Sequence, residues 1–347
     1  MVRPPVAPML AKLERSLRPG FVYEPKWDGF RALAFVERGR VDLRSRNDKR
    51  LARYFPELAE SLAAFGDIVL DGEIVVLGAN GALDFAALMA RLHPAESRVE
   101  RLRGETPAVF VAFDLLGSGD EDLRARPFVE RRAELERALA SAPSNVLVTP
   151  ATRDLERARR WLERFRGGGL DGVVAKDPSA PYSAGRRTMI KVKHARTCEC
   201  VVAGFRVLRD EPKVSSVLLG LYDGDRVVHV GVVSQLAADA RRALFDVLAR
   251  DVVPLAGHPW EHGFGLERSP LGRLKGAAGR WDPTEMERDW NPLRPHRVWE
   301  VAYDTLDDAR FRHPARLVRE RPDRDPRSCT FDQLPEAPPD LRAMLAS

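Results

Sequence analysis

Cysteine is scarce: three in 347 residues, Cys198, Cys200 and Cys329. They show none of the paired spacings of a zinc site and are too few to staple a fold. Long apolar runs are missing as well. No window approaches the roughly 18 consecutive apolar residues that a spanning helix needs. The opening Met1-Val-Arg-Pro-Pro-Val6 lacks the charged-then-apolar layout of a secretory signal. These absences exclude disulfide-scaffold, zinc-finger and membrane readings and leave a cytoplasmic chain as the expectation. Lysine is the third scarcity. Of 56 basic residues only eight are lysine, at 12, 26, 49, 176, 191, 193, 213 and 275; the other 48 are arginine. Where arginine is the default cation, a retained lysine marks a place that a permanently charged guanidinium does not serve.

What is present suits two globular domains. The length exceeds that of one ordinary domain, and 44% hydrophobic with 31% charged residues is enough apolar mass for real cores. The net charge of +5 is mild for a nucleic-acid binder. Runs rich in Val, Ile and Phe predict strands over Asp67–Leu77 and Pro107–Leu116. Apolar residues at helical spacing predict helices over Arg50–Phe65, Phe128–Ala140 and Arg153–Phe165, the last stopped by Gly167-Gly168-Gly169. Beyond about residue 197 the texture changes to short β-type runs at 200–208, 215–222, 226–233, 298–303 and 316–321, with one helix over 237–250. Five strands and a helix suit a small Greek-key barrel such as an OB-fold; a five-strand sandwich has the same inventory. The Pro- and Ala-rich final dozen residues read as a loose tail. Residues 1–195 hold 33 basic and 27 acidic side chains, and residues 196–347 hold 23 and 24.

The sharpest local feature is Glu24-Pro25-Lys26-Trp27-Asp28-Gly29-Phe30-Arg31. Alone, a Lys-x-Asp-Gly turn is commonplace, but partners follow it. Asp71-Gly72-Glu73 sits inside an apolar strand, where an unpaired carboxylate is costly. Phe113-Asp114 closes another. Asp171 opens and Lys176 closes a third, and Lys191 and Lys193 alternate so that both amines face one way. Lysines and carboxylates gathered on strands are what nucleotidyl transfer requires. A neutral amine attacks phosphorus, cations steady the phosphate oxygens, and carboxylates hold a divalent metal. On this reading the neighbouring cations lower the pKa of the nucleophilic amine.

In their order the motifs resemble those of the ATP-dependent DNA ligases, within the covalent nucleotidyltransferase superfamily. The resemblance runs from about Pro5 to Arg324. It rests on Lys26-Trp-Asp-Gly-Phe-Arg31, Ser45-Arg46-Asn47, Asp71-Gly72-Glu73, Phe113-Asp114-Leu115-Leu116, Asp171-Gly-Val-Val-Ala-Lys176, Met189-Ile-Lys-Val-Lys193 and Arg321-Pro-Asp-Arg324. The two-domain plan is most similar to the small actinobacterial ligase C branch. The implied fold is α+β. An adenylation domain of antiparallel sheets flanked by helices (1–195) precedes an OB-fold β-barrel domain with a C-terminal tail (196–347).

The resemblance also implies roles. Lys26 attacks the α-phosphate of ATP and carries the AMP, with Asp28 and Arg31 beside it. Glu24 reads the adenine amino group, Phe113 stacks on the ring and Glu73 holds the ribose. Arg46 meets the 5′-phosphate of the nick, and Lys191 and Lys193 grip the AMP phosphate. Asp171, with Glu73, serves Mg²⁺ or Mn²⁺, and Arg321 with Asp323 orients the pyrophosphate. The implied substrate is nicked double-stranded DNA and the implied partner a repair primase-polymerase. The chain is expected to be a monomer without membrane contact, and nucleoid-associated in a bacterium. The arginines at 310, 312, 316, 319, 321, 324 and 327 are expected to form a DNA-facing edge. RNA joining, GTP-dependent capping and a non-catalytic OB-type binder are the alternatives. Ser45-Arg46-Asn47 and the closing basic strand favour DNA, and the intact nucleophile and phosphate lysines favour an enzyme.

Overall fold

The computed structural model describes residues 2–92, 95–164, 170–193, 196–209, 211–262, 290–304, 306–307, 310–334 and 340–342. The chain divides into two units, Met1–His194 with Ala337–Ser347, and Ala195–Glu336. Among the described residues no helix is long and apolar enough to cross a membrane.

In chain order the first unit contains β1 (Leu10–Glu14), β2 (Val22–Pro25), β3 (Phe30–Glu37), β4 (Arg40–Ser45), α1 (Pro56–Leu62) and β5 (Ile68–Val76). Then come α2 (Phe85–Ala90), α3 (Glu96–Glu105), β6 (Ala108–Ser118), β7 (Glu121–Asp122), α4 (Phe128–Ala138), β8 (Val146–Val148), α5 (Leu155–Arg164), β9 (Val173–Lys176) and β10 (Arg187–Val192). They form a four-stranded sheet, β1-β10-β9-β2, and a larger one, β4-β3-β5-β6-β7, to which β8 adds alongside β6.

Strand periodicity decides which side chains face the site. On β5, Ile68, Leu70, Ile74 and Val76 enter one core with Leu58, Leu62 and Leu135. The alternate residues Asp71 and Glu73 point to the opposite face. On β3 the same rule buries Ala32, Ala34 and Val36 in that core and sends Arg31 the other way. The β5–β6 register skips Phe113, since Asp71 pairs with Asp114 and Gly72 with Ala112. Phe113 is therefore the extra residue of a bulge, a device that re-aims a side chain. Close approach also needs glycine: a Cβ on Gly29 would lie 2.1 Å from the Ile74 carbonyl oxygen.

Several expectations change. The helix predicted over 50–65 is a 3₁₀ turn at Ala52–Tyr54 followed by α1. Pro56 lacks an N–H and disfavours a helical residue before it, and Phe55 sits at φ −133°, ψ 60°. The triple glycine lies outside the described residues. The tail is not loose where it is described: Leu341 is fully buried among Tyr23, Trp27 and Trp161. Its N–H donates to the Gly81 carbonyl at 3.0 Å, and the Arg342 guanidinium donates to the Gly78 and Ala79 carbonyls.

The second unit contains β11 (Arg196–Leu208), β12 (Glu211–Asp223), β13 (Arg226–Val233), α6 (Ala240–Leu248), β14 (Asn291–Tyr303), β15 (Leu306–Asp307), β16 (Arg310–Phe311) and β17 (Arg316–Glu320). Five strands form one antiparallel sheet in the order β13-β12-β11-β14-β17. The β14 strand starts seven residues earlier than expected because Pro292 and Pro295 hide it in the sequence. Before Trp299 the only strand that pairs with β14 is β11. On the other side Val252 bridges Leu293 and the Val253 N–H donates to the Pro292 carbonyl, a bond in which proline need only accept. The arginine strip is not a bare cationic edge. Arg310 is buried, and Arg319, Arg321, Arg324 and Arg327 pair with Glu300, Glu199, Glu199 and Asp225 respectively.

The most buried ion pair in the first unit ties α4 to β6. Arg131 Nε donates to Asp114 Oδ1 at 2.8 Å and Nη2 to Oδ2 at 2.9 Å. Both side chains are almost wholly enclosed, at 0% and 2% exposure. Arg131→Met strands an enclosed carboxylate and should cost about 3–5 kcal/mol in urea unfolding. Adding Asp114→Asn should recover part of it, and a loss below about 1 kcal/mol would contradict this account.

Candidate active site

A cleft of about 370 Å³ opens in the first unit, lined by residues from β1, β2, β3, β5, β6, β9 and β10 and by the turn after β4. That volume is within the range of small-ligand sites. Its floor follows from antiparallel register: Glu24 faces Val174, and Val174 faces Lys191. Residues opposite one another share a sheet face, and so do residues two apart. Glu24, Val174, Lys176 and Lys191 all line the cleft with Lys26.

Lys26 follows directly on β2 and extends its ladder by two reciprocal bonds. The Lys26 N–H donates to the Gly172 carbonyl, and the Asp171 N–H to the Lys26 carbonyl, each at 2.9 Å. This brings the side chains together: Lys26 Nζ donates to Asp171 Oδ2 at 2.6 Å. Lys193 Nζ lies 2.9 Å from the same oxygen. Gly172 permits the geometry at φ +139°, where a Cβ would lie 2.1 Å from the Val192 carbonyl oxygen.

The electrostatics correct one expectation. Burial opposes the charge on Lys26, but the charge and hydrogen bond of Asp171 outweigh it, and its pKa lies above the ordinary lysine value. The amine whose pKa falls is Lys191, through burial first and then the charges of Lys26 and Lys193. Burial also opposes the charge on Asp171, yet Lys26 and Lys193 together hold its carboxyl below the ordinary value.

Three further networks shape the walls. Arg31 grips Asp71 with Nε to Oδ1 at 2.8 Å and Nη2 to Oδ2 at 2.6 Å. The Tyr182 hydroxyl donates to Asp71 at 2.6 Å and accepts from the Met9 N–H. Arg31 also lies 4.7 Å from the centroid of the Phe113 ring, which lines the cleft. Glu24 is enclosed between Lys176 at 2.8 Å and Arg132 at 3.4 Å. Desolvation raises its pKa against the pull of both cations. Lys176 is not a solvated charge: its side chain is enclosed, and it donates to the Phe113 carbonyl at 2.7 Å as well. Glu73 accepts from the Gly29 N–H at 3.1 Å.

The structure therefore gathers Glu24, Lys26, Arg31, Arg46, Glu73, Phe113 and Lys191 around one cleft. Asp171 and Lys193 stand behind the Lys26 amine. Asp28 acts on Lys26 and Glu73 through its charge. Arg321 and Asp323 belong to the second unit, where Arg321 Nη2 donates to Asp323 Oδ2 at 2.8 Å. That bond holds the Asp323 carboxyl down to about 2. Sequence reasoning missed Arg132, Thr149 and Tyr182. Nothing marks one arginine among 48, or a lone Tyr or Thr, as part of a site. Of the carboxylates expected to hold a divalent cation, Asp171 gives its Oδ2 to Lys26 and Lys193 and Glu73 accepts from the Gly29 N–H. Among the described residues no group of three or more His, Cys, Asp or Glu gathers as a metal site, so a cation there would complete its shell with substrate phosphates.

The family model described as ATP dependent DNA ligase domain matches residues 6–193. A second, ATP dependent DNA ligase C terminal region, matches residues 210–324. DNA ligase C2 of Mycolicibacterium smegmatis is 50% identical over 343 residues, covering 97% of this chain and 96% of its own. DNA ligase C of Mycobacterium tuberculosis is 47% identical over 344 residues, covering 96% and 94%. The multifunctional non-homologous end joining protein LigD of Pseudomonas aeruginosa is 31% identical over 346 residues, covering 97% of this chain and 38% of its own.

Burial pushes the Glu73 carboxyl up to about 7, with Lys26 and Arg31 opposing the rise. The folded protein then keeps a proton that the unfolded chain loses from its ordinary value of 4.5 upward. Stability accordingly falls as pH rises through that window. Glu73→Gln removes the slope. Its melting temperature relative to the parent should rise by about 2–4 °C between the acid and alkaline sides, measured calorimetrically. A constant difference would show Glu73 ionised throughout.

Proposed function

Because the chain belongs to the ATP-dependent DNA ligases, we propose that Lys26 carries the AMP in its reaction. The joining of DNA at the expense of ATP follows from that membership; the roles of individual residues are our reading. The observation that carries it is the Lys26 amine in a cleft walled by Glu24, Glu73, Phe113 and Lys191, its Nζ 2.6 Å from Asp171.

In the first step the Lys26 nitrogen forms a bond to the α-phosphorus of ATP, and the bond to the bridging oxygen breaks, releasing pyrophosphate. The amine must be neutral to attack. In the free protein Asp171 holds its proton, so Asp171 sets the pH at which Lys26 becomes reactive. Lys191 and Arg31 are placed to steady the phosphate oxygens. Glu24 meets the adenine amino group, Phe113 its face and Glu73 the ribose. Asp171 and Glu73 would hold a divalent cation when one is bound, and it would supply neutralisation of the triphosphate. AMP then passes from Lys26 to the 5′-phosphate of a nick, near Arg46, and the neighbouring 3′-hydroxyl displaces it.

The second unit is, on this reading, an OB barrel. Closure is supported by the hydrogen bond from the Ala315 N–H to the Val232 carbonyl at 2.7 Å, and by the bridge between Val233 and Ala315. These join β13, one edge of the sheet, to the residue before β17, the other. Arg321 and Asp323 are assigned to the pyrophosphate. We place the enzyme in DNA repair. A relative named for end joining carries a region similar to this chain within a much longer protein, which supports a separate primase-polymerase as partner.

Incubation with labelled ATP and Mg²⁺ should give a covalent AMP adduct that Lys26→Ala abolishes while folding is retained. An adduct that persists in the variant overturns the assignment. Asp171→Asn should lower the pKa of Lys26, because a neutral amide no longer favours the ammonium. The acid limb of the adenylylation rate then moves to lower pH by about one unit or more, even as the maximal rate drops. An unmoved limb would mean that Asp171 does not govern the proton on Lys26.

A further inference from the structure

Helix α4 contains none of the matched motifs, yet two successive arginines on it hold acidic groups at the base end of the cleft. Arg131 takes Asp114, the residue after Phe113. Arg132, only 12% exposed along its side chain, lies 3.4 Å from Glu24 Oε1 through Nη1. Its Nη2 donates to the Thr149 carbonyl at 2.7 Å. The Thr149 hydroxyl accepts from Trp27 Nε1 at 2.8 Å. One guanidinium thus reaches both sides of Lys26: Glu24 directly, and Trp27 through Thr149. The second oxygen of Glu24 is held by Lys176. A carboxylate fixed at both oxygens between two enclosed cations cannot swing, so its place in the cleft is set by theirs. A planar fork with separated donors makes this double reach; a single ammonium does not.

We propose that Arg132 is a positioning residue for nucleotide selection: it fixes Glu24 and Trp27, and so sets the preference for a purine triphosphate with a 6-amino group over one with a 6-oxo group. The inference rests on the reading of Glu24 as the group that meets the adenine amino. A 6-amino group donates to a carboxylate, whereas a 6-oxo group sets oxygen against oxygen. Buried groups that must pair with a substrate donor discriminate strongly only when held in place. A displaced Glu24 therefore loses selectivity, beyond any loss of overall rate.

The test is adenylylation of the full chain with ATP and with inosine triphosphate, read as the ratio of their kcat/KM values. The parent should favour ATP. Arg132→Met should lower that ratio by about tenfold or more. Arg132→Lys, which keeps the charge beside Glu24 but not the reach to Thr149, should fall between. It carries the test should Arg132→Met not fold. Glu136→Ala removes only the partner of Arg132 on the outer face of α4, at 2.6 Å, and should leave the ratio unchanged. A purely structural role for Arg132 reduces both nucleotides equally, and an unaltered ratio in Arg132→Met and Arg132→Lys overturns the proposal. Glu24→Ala separates the two readings. If its ratio collapses while the Arg132 variants hold theirs, the proposal fails and the role of Glu24 stands. If its ratio also holds, both fail.

Discussion

One carboxylate oxygen organises the site: Asp171 Oδ2 accepts Lys26 at 2.6 Å and Lys193 at 2.9 Å. Two ammonium groups at one enclosed oxygen are tolerable only because each offsets part of the desolvation of the others. The arrangement depends on the backbone beneath it. Lys26 continues β2 against the 171–172 segment, Gly172 takes a left-handed turn, and Lys193 follows β10. The four-stranded sheet is in this sense a frame for three side chains. Its consequence is electrostatic, since Asp171 favours the charged form of Lys26 and holds its pKa above the ordinary lysine value.

The same economy recurs through the first unit. Three buried acids on the site face are matched by specific cations, Asp71 by Arg31, Asp114 by Arg131, and Glu24 by Lys176 and Arg132, whereas burial raises the pKa of Glu73 despite the charges of Lys26 and Arg31. An enclosed carboxylate without such a match costs several kcal/mol. Division of labour between cations follows their chemistry. Arginines make the fixed, two-pronged grips on Asp71 and Asp114. Lysines occupy the cleft floor, where a compact ammonium can surrender a proton or be shared. Five of the eight lysines, at 12, 26, 176, 191 and 193, lie on or next to strands of one sheet.

Much of the fold was legible because its signals are local. Runs rich in Val, Ile and Phe marked β5 and β6, and short β-type runs marked β12 and β13. Failures share a different cause. The helix over 50–65 was cut by one proline whose steric demand outweighs apolar spacing. The early part of β14 was masked by prolines, of which Pro292 serves the sheet as an acceptor from the Val253 N–H. The tail read as loose because composition cannot show that Leu341 fills a gap among Tyr23, Trp27 and Trp161. In the site, the motif order located the charged residues Lys26, Arg31, Arg46, Glu73, Lys176 and Lys191 and the Phe113 ring, while the β1 wall of Pro8, Leu10 and Ala11, and Arg132, Thr149 and Tyr182, stayed invisible. Their importance lies in what they touch, and those partners are distant in the chain.

The sequence by itself determined the class of chemistry. Scarce lysines kept at motif positions, carboxylates placed in apolar strands and seven motifs in order name a nucleotidyl-transferring ligase before any coordinates are seen. What only the tertiary structure decided is the state of the groups. It showed that Lys26 is raised rather than lowered in pKa, that Arg31 answers to Asp71, and that Phe113 sits on a bulge. The physical reason is range. Residue type and spacing report covalent neighbours and strand faces, but a pKa or a grip depends on charges a few ångströms away in space. Asp171 lies 145 residues from Lys26 along the chain, and the fold alone brings them into contact.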